Sequence, residues 1–385
     1  MPAITTNPQV LLASNTSAVY IKTQTEMGVA VATDDFAATD AVRIVGAPKF
    51  TPRGAGLIQR TDILTPWGGG QAVRTGGLGW DISFSTEFFW KFDGAPYSES
   101  FNYTKTQLAA LWKASPWDFF DGSADPVVTV NTGFMVQPYF NTAPNRTAVN
   151  YAAQPFTIYY VETSGKRFAA YDCLCVPKIS WEYGQRVMIE WTIKGKWIDV
   201  DAYDSAPGEI SAPEYVDPAD QAPLIGANCN VTLANFFENI NAVSKVAIDT
   251  GWQLNDVGDT RETFGMGIAF INLATYPTIT LTVADLAEGA PTQTAGDPPV
   301  TTNTGREPDW TDAQSNFINP NLLTLTLGVG TSSIVWQLAN PQLIAWPTPG
   351  DENGYRNNSL TFGGVPSSTN QTVMAMTFVD ATEAP

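Results

Sequence analysis

The chain has 385 residues, 44% of them apolar and 12% aromatic, with 38 Asp+Glu against 20 Lys+Arg, a formal net charge of −18, and no histidine. That apolar content supports substantial cores and excludes wholesale disorder. The missing histidine removes the side chain most used for proton transfer near neutral pH, and the acidic balance, with no dense Lys/Arg cluster, argues against nucleic-acid binding.

Residues 1–41 read as an N-terminal arm, with few charges and little periodicity. Met1 to Val10 lacks the basic and apolar regions of a secretory leader, and no apolar run reaches the roughly 18 residues of a membrane span. Residues 42–200 read as a first β domain. It opens on the Pro-rich Gly46-Ala-Pro-Lys-Phe-Thr-Pro, followed by a glycine-rich stretch from Pro66 to Gly79. The stretch Trp80 to Phe88 alternates like a half-buried strand, with Ile82, Phe84 and Thr86 on one face. A helix is predicted next, Leu108, Leu111 and Trp112 being spaced i, i+3, i+4, with Thr106 as N-cap and Pro116 beyond the end. Paired strands follow at 155–161 and 167–175, then a proline corner at Val176 to Trp181 and a strand over 186–194.

Residues 201–223 are acidic and rich in Pro and Ala, and read as a linker or surface strap. Residues 224–385 read as a second β domain with a similar order of elements. Its strands are expected at 278–283, 322–327, 332–338 and 358–362, with another at 372–378, a weak helix near Thr311 and a corner at Asn340-Pro341. The fold class expected is therefore mainly β: two tandem β-sandwich or barrel domains, each with a short flanking helix. Duplication is the reading preferred for the two halves, and two unrelated β domains are the alternative.

Sites for chemistry are sparse. The glycine-rich stretch lacks Gly-Lys-Ser/Thr and leads into a strand, so no helix N-terminus awaits a phosphate; a hairpin tip fits better. Acidic clusters at Asp199 to Asp204 and Asp249 to Glu262 do not match a calcium loop. Cys173, Cys175 and Cys229 read as small buried hydrophobes, not a disulfide framework or zinc site. Glu87, Asp93, Asp118 and Asp121 lie near Trp90, Trp112 and Trp117, the raw material of a glycosidase cleft, but such tryptophans are more often core or interface anchors. No enzyme activity, cofactor or metal is expected.

Two segments carry a family resemblance. Val42 to Ala114 resembles the N-terminal domain of tail tube (major tail) proteins of long, flexible-tailed bacteriophages. The residues that carry it are Gly46 to Pro52, Gln59-Arg-Thr-Asp-Ile-Leu, the glycine-rich tip, Ile82 to Phe88 and Leu108-Ala-Ala-Leu-Trp-Lys-Ala. Ser244 to Trp252, followed by Tyr276 to Val283, resembles a second domain of the larger members. The resemblance implies a β-hairpin with an extended loop, a sandwich strand and a flanking helix. It further implies a structural virion protein made in the host cytoplasm: a homo-oligomer of trimeric, pseudo-sixfold rings stacked into a tube, contacting other tail proteins, with viral DNA passing unbound through the lumen. On this reading the hairpin tip, with Trp67, Gly68, Gly69, Gly70, Arg74, Gly76 and Gly77, is the candidate ring-stacking contact, and the N-terminal arm a second one. A carbohydrate-binding β-sandwich adhesin and another virion part, capsid or decoration, are the alternatives.

Overall fold

The computed structural model describes residues 18–53, 57–59, 72–74, 79–90, 108–120, 133–136, 154–161, 167–198, 222–227, 229–233, 237–240, 243–258, 266–271, 276–284, 322–329, 332–345, 348–352, 355–365 and 373–380. In chain order the strands of the first half are β1 (Ala18–Thr23), β2 (Ala41–Val42), β3 (Val45–Arg53), β4 (Leu57–Gln59), β5 (Ala72–Arg74), β6 (Gly79–Glu87), β7 (Phe89–Trp90), β8 (Trp117–Phe120), β9 (Gly133–Val136), β10 (Phe156–Val161), β11 (Arg167–Glu182) and β12 (Met188–Trp197). The short helix α1 (Ala109–Lys113) precedes β8. There follow β13 (Ala222–Pro223), β14 (Cys229–Leu233), β15 (Phe237–Ile240), β16 (Val243–Asp249), β17 (Gln253–Gly258), β18 (Met266–Ile271) and β19 (Thr278–Ala284). The last are β20 (Leu323–Val329), β21 (Ser332–Leu338), β22 (Pro341–Leu343), β23 (Thr348–Glu352), β24 (Tyr355–Gly364) and β25 (Met374–Asp380).

The molecule is mainly β, as its alternating apolar pattern requires. A 12-stranded sheet runs β2-β1-β10-β11-β16-β19-β24-β22, with β12, β6 and β3 continuing from the other edge of β11 and β23 pairing with β24. A 7-stranded sheet runs β15-β14-β20-β21-β25-β9-β8. Each sheet takes strands from both sides of the 201–223 segment: β11 pairs with β16 in the first, and β9 with β25 in the second. The hairpins β10–β11 and β20–β21, read as counterparts, lie in different sheets. The end of the Pro-rich segment itself pairs, as β13 against β7.

Period-2 patterning fixes the buried face. Trp80, Ile82, Phe84 and Thr86 of β6 are all buried, as are Ile189, Trp191 and Ile193 of β12, Ile279 and Leu281 of β19, and Leu323, Leu325 and Leu327 of β20. Thr86 belongs in this row because its hydroxyl accepts the indole N–H of Trp191 at 2.9 Å, which satisfies a donor that burial would otherwise strand. The sheets share one core: Trp336 of β21 meets Trp181 of β11 at 5.1 Å and Phe88 at 6.5 Å between ring centroids. Helix α1 buries Leu111 and Trp112, the latter edge-on to Trp191 at 5.1 Å. Leu108 occupies the N-cap without a side-chain hydrogen bond; Thr106 lies outside the described residues, as does the second helix expected near Thr311.

The corner expected at Val176 to Trp181 is not there: β11 runs straight through it to Glu182. Its edge pairs with β10 up to Cys173 and with β16 from Lys178 onward. In the gap, the Cys175 N–H donates to the Ala114 carbonyl at the end of α1 at 3.0 Å, and Pro177 has no N–H to satisfy. The proline marks a change of partner rather than the end of a strand. At Asn340-Pro341 the expected corner does form, with Asn340 at φ 45° and its side-chain amide donating to the Val365 carbonyl at 2.9 Å.

Candidate assembly surfaces

The glycine-rich stretch belongs to a hairpin. β4 pairs with β5 in the register Leu57↔Arg74, Ile58↔Val73 and Gln59↔Ala72. Of the candidate stacking residues, Arg74 lies in β5; Trp67, Gly68, Gly69, Gly70, Gly76 and Gly77 lie outside the described residues. The β3–β6 ladder, whose last pair Arg53↔Gly79 flanks the hairpin in the chain, is its root.

That root is held by charge. The Arg53 guanidinium forms ion pairs with Asp81, at 3.2 Å, and with Asp256 of β17, and donates to the carbonyls of Trp80 and Gly195 at 3.3 and 3.2 Å. Lys194 stands 3.5 Å from Asp256 and 4.0 Å from Asp81. Burial lowers the Arg53 pKa and the neighbouring Asp81 charge opposes the shift; the guanidinium stays charged over any accessible pH. A side chain at position 79 would press on the Gly195 carbonyl at 2.9 Å and the Arg53 guanidinium at 3.0 Å, so glycine is what lets the arginine lie across the strand. Asp256 thereby ties the second half of the chain to the base of a hairpin in the first.

A second surface rests on a buried polar knot that the sequence reading missed. Asp172 sits in β11 with φ 50°, at a bulge that shifts the register with both β10 and β12. Its carboxylate is 3% exposed. One oxygen accepts from the Gln24 amide at 2.9 Å and the Gly28 N–H at 2.7 Å; the other lies 3.0 Å from the buried Lys196 ammonium. The Asp172 N–H, released from the ladder by the bulge, donates to the Gln24 side-chain carbonyl at 2.7 Å. The signal available in the sequence was an acid inside the apolar run Phe168 to Val176, because a charge there must be paired.

The residues weighed for chemistry are accounted for structurally where they are described. Cys173 and Cys175 are fully buried, and burial, the largest cause, holds both thiols well above their usual pKa. Cys229 is pushed by burial to about 12. These thiols are protonated and poor nucleophiles or metal ligands at neutral pH. Glu87 is buried and paired with Arg186; Asp93 and Asp121 lie outside the described residues, and Asp118 is placed only as a member of β8. Among the described residues no group of His, Cys, Asp and Glu is arranged to hold a metal, and no helix is long and apolar enough to cross a membrane.

In comparison with known proteins, no family model matches the chain and no curated protein matches it.

Proposed function

We propose that the chain is a structural virion protein, the subunit of a phage tail tube, assembling as stacked rings through which DNA passes. The observation that carries this reading is the order of elements between β3 and α1. A proline-bearing strand, two short paired strands that bracket residues 60–71 in the chain, a long strand and a short helix follow one another, the order that the family resemblance implies. The formal charge of −18 supports it further, since an acidic wall does not retain DNA. Glycan binding is the less favoured reading: among the described residues no tryptophan is exposed, Trp80, Trp112, Trp117, Trp181, Trp191, Trp252 and Trp336 being buried, and the exposed aromatic rings are Tyr183 and Tyr276.

Negative-stain microscopy of the purified protein is the test. Rings or tubes with a central hole are expected, and deletion of residues 68–77 should leave rings but abolish tubes. A protein that remains monomeric at high concentration by light scattering would overturn the reading.

A further inference from the structure

Asp172 and Lys196 meet across neighbouring strands, Lys196 standing opposite Tyr171 where the β11–β12 ladder breaks before resuming at Leu174. Both are buried, 3% and 5% exposed. Their contact has an asymmetry that charge pairing alone does not require. Oδ1 of Asp172 is held by two N–H donors, Gln24 Nε2 at 2.9 Å and the Gly28 backbone at 2.7 Å. Oδ2 lies 3.0 Å from Lys196 Nζ, yet among the described residues it accepts no aligned hydrogen bond. One oxygen is fixed and the other is loose, with a nitrogen beside the loose one and Cγ no more than one C–O bond farther on.

Acyl transfer needs such an arrangement. An amine that attacks a carboxyl carbon pushes negative charge onto the oxygen that stays, and N–H groups aimed at that oxygen from about 2.7–3.1 Å stabilise it. Here the donors are set in advance. The Gln24 side-chain carbonyl accepts the Asp172 N–H at 2.7 Å, and its Nε2 also donates to the Val29 carbonyl at 2.7 Å. Gly28, at φ 89°, turns its N–H toward the carboxylate, a backbone state that glycine adopts at little cost. Burial of both reacting side chains keeps out bulk water, which would compete with the amine and reverse the reaction.

We infer that Asp172 and Lys196 condense, after folding, to an intramolecular amide. Until then they are an ion pair. A proton passes from Nζ to Oδ2, leaving a neutral amine beside a carboxylic acid. Nζ then attacks Cγ, and the oxyanion that forms on Oδ1 is held by Gln24 and Gly28. Oδ2 departs as water, taking a second proton from the nitrogen. The Nζ–Cγ bond forms, the Cγ–Oδ2 bond breaks, one water is released, and no oxidant or cofactor is consumed. The product joins β11 to β12 at the bulge where their ladder is interrupted. It constrains residues 172–196 as a disulfide would, through a bond that thiols do not open. The inference is independent of the tube reading.

Mass spectrometry of the full chain, kept folded and then denatured, tests it. The parent should be lighter than its sequence by one water. Lys196→Arg, which keeps the charge but offers a guanidinium in place of the amine, should show its full sequence mass. Trypsin should fail to cut the parent after Lys196 and should release a branched peptide joining residues 168–178 to the peptide that begins at Gly195. Gln24→Ala removes one donor from Oδ1 and should slow linkage about 100-fold, read as the linked fraction against time after synthesis. Linkage in Gln24→Ala as fast as in the parent would overturn the role given to the donors. A parent that keeps its full sequence mass after prolonged incubation overturns the inference. So does a loss of water without the branched peptide, which marks a cyclised aspartyl residue and leaves Lys196 open to trypsin.

Discussion

Asp172 shows how much one side chain can organise. Its left-handed backbone suits Asp or Asn and costs other L-residues about 1–2 kcal/mol, and its carboxylate is the partner of a lysine that is itself 5% exposed. Replacing it takes the carboxylate away from that buried ammonium, a loss that typically costs about 3–5 kcal/mol, while the Tyr171 ring, 5.6 Å from the ammonium, stays. Asp172→Asn, which keeps the backbone preference, is therefore expected to destabilise by about 3 kcal/mol, and Asp172→Ala by about 1 kcal/mol more. Urea unfolding of the two variants measures both. Equal losses would mean that neither the backbone preference nor the bonds from Gln24 and Gly28, which Asn can still accept and Ala cannot, contribute to stability, and no loss in Asp172→Asn would mean Lys196 does not depend on the carboxylate.

At the scale of elements, much was legible. Alternation alone located β6, β19, β20 and β21 and named the buried face of β6, because a period of two residues can satisfy only one side of a sheet. Which strand pairs with which was not legible, since periodicity reports the face a side chain occupies and says nothing of its neighbour. Pro177 was misread for a related reason: a missing N–H looks the same in sequence whether the chain turns or an edge partner ends. The glycine-rich hairpin was readable as a hairpin, but its root was not, because Arg53, Asp81, Lys194 and Asp256 are scattered along the chain and converge only through β3, β6, β12 and β17. Gly195 also escaped notice. It lies across the bulge from Asp172, and a methyl there would collide with the Cys173 sulfur and approach the Ala170 Cβ at 2.9 Å. Gly195→Ala is expected to cost about 1–3 kcal/mol through overpacking, read by thermal melting. A neutral result would show that β11 and β12 can separate at the bulge without loss.

For the whole molecule, the decisive fact is that neither sheet belongs to one half. β11–β16 and β25–β9 cross the 201–223 segment in hydrogen-bonded register, and Trp336 joins the two sheets through Trp181 and Phe88. Unfolding should therefore be one cooperative transition, and residues 1–200 or 224–385 expressed alone should not reach a stable fold. Calorimetry of the intact chain and circular dichroism of the pieces test this; two separate transitions, or a piece that melts cooperatively at the parent temperature, would contradict it.

The exchange of partners along β11 also sets a schedule for synthesis. Once β12 has been made, β1, β10, β11, β12, β6 and β3 can pair, but the edge of β11 from Lys178 to Glu182 waits until β16 emerges beyond the Pro-rich segment. An uncovered strand edge on a nascent chain is an invitation to aggregation. The waiting stretch carries a lysine at one end and a glutamate at the other, charges that the finished sheet opposes with Asp249 and Lys245. They act as gatekeepers during the interval when the ribosome has delivered one side of the sheet and not yet the other.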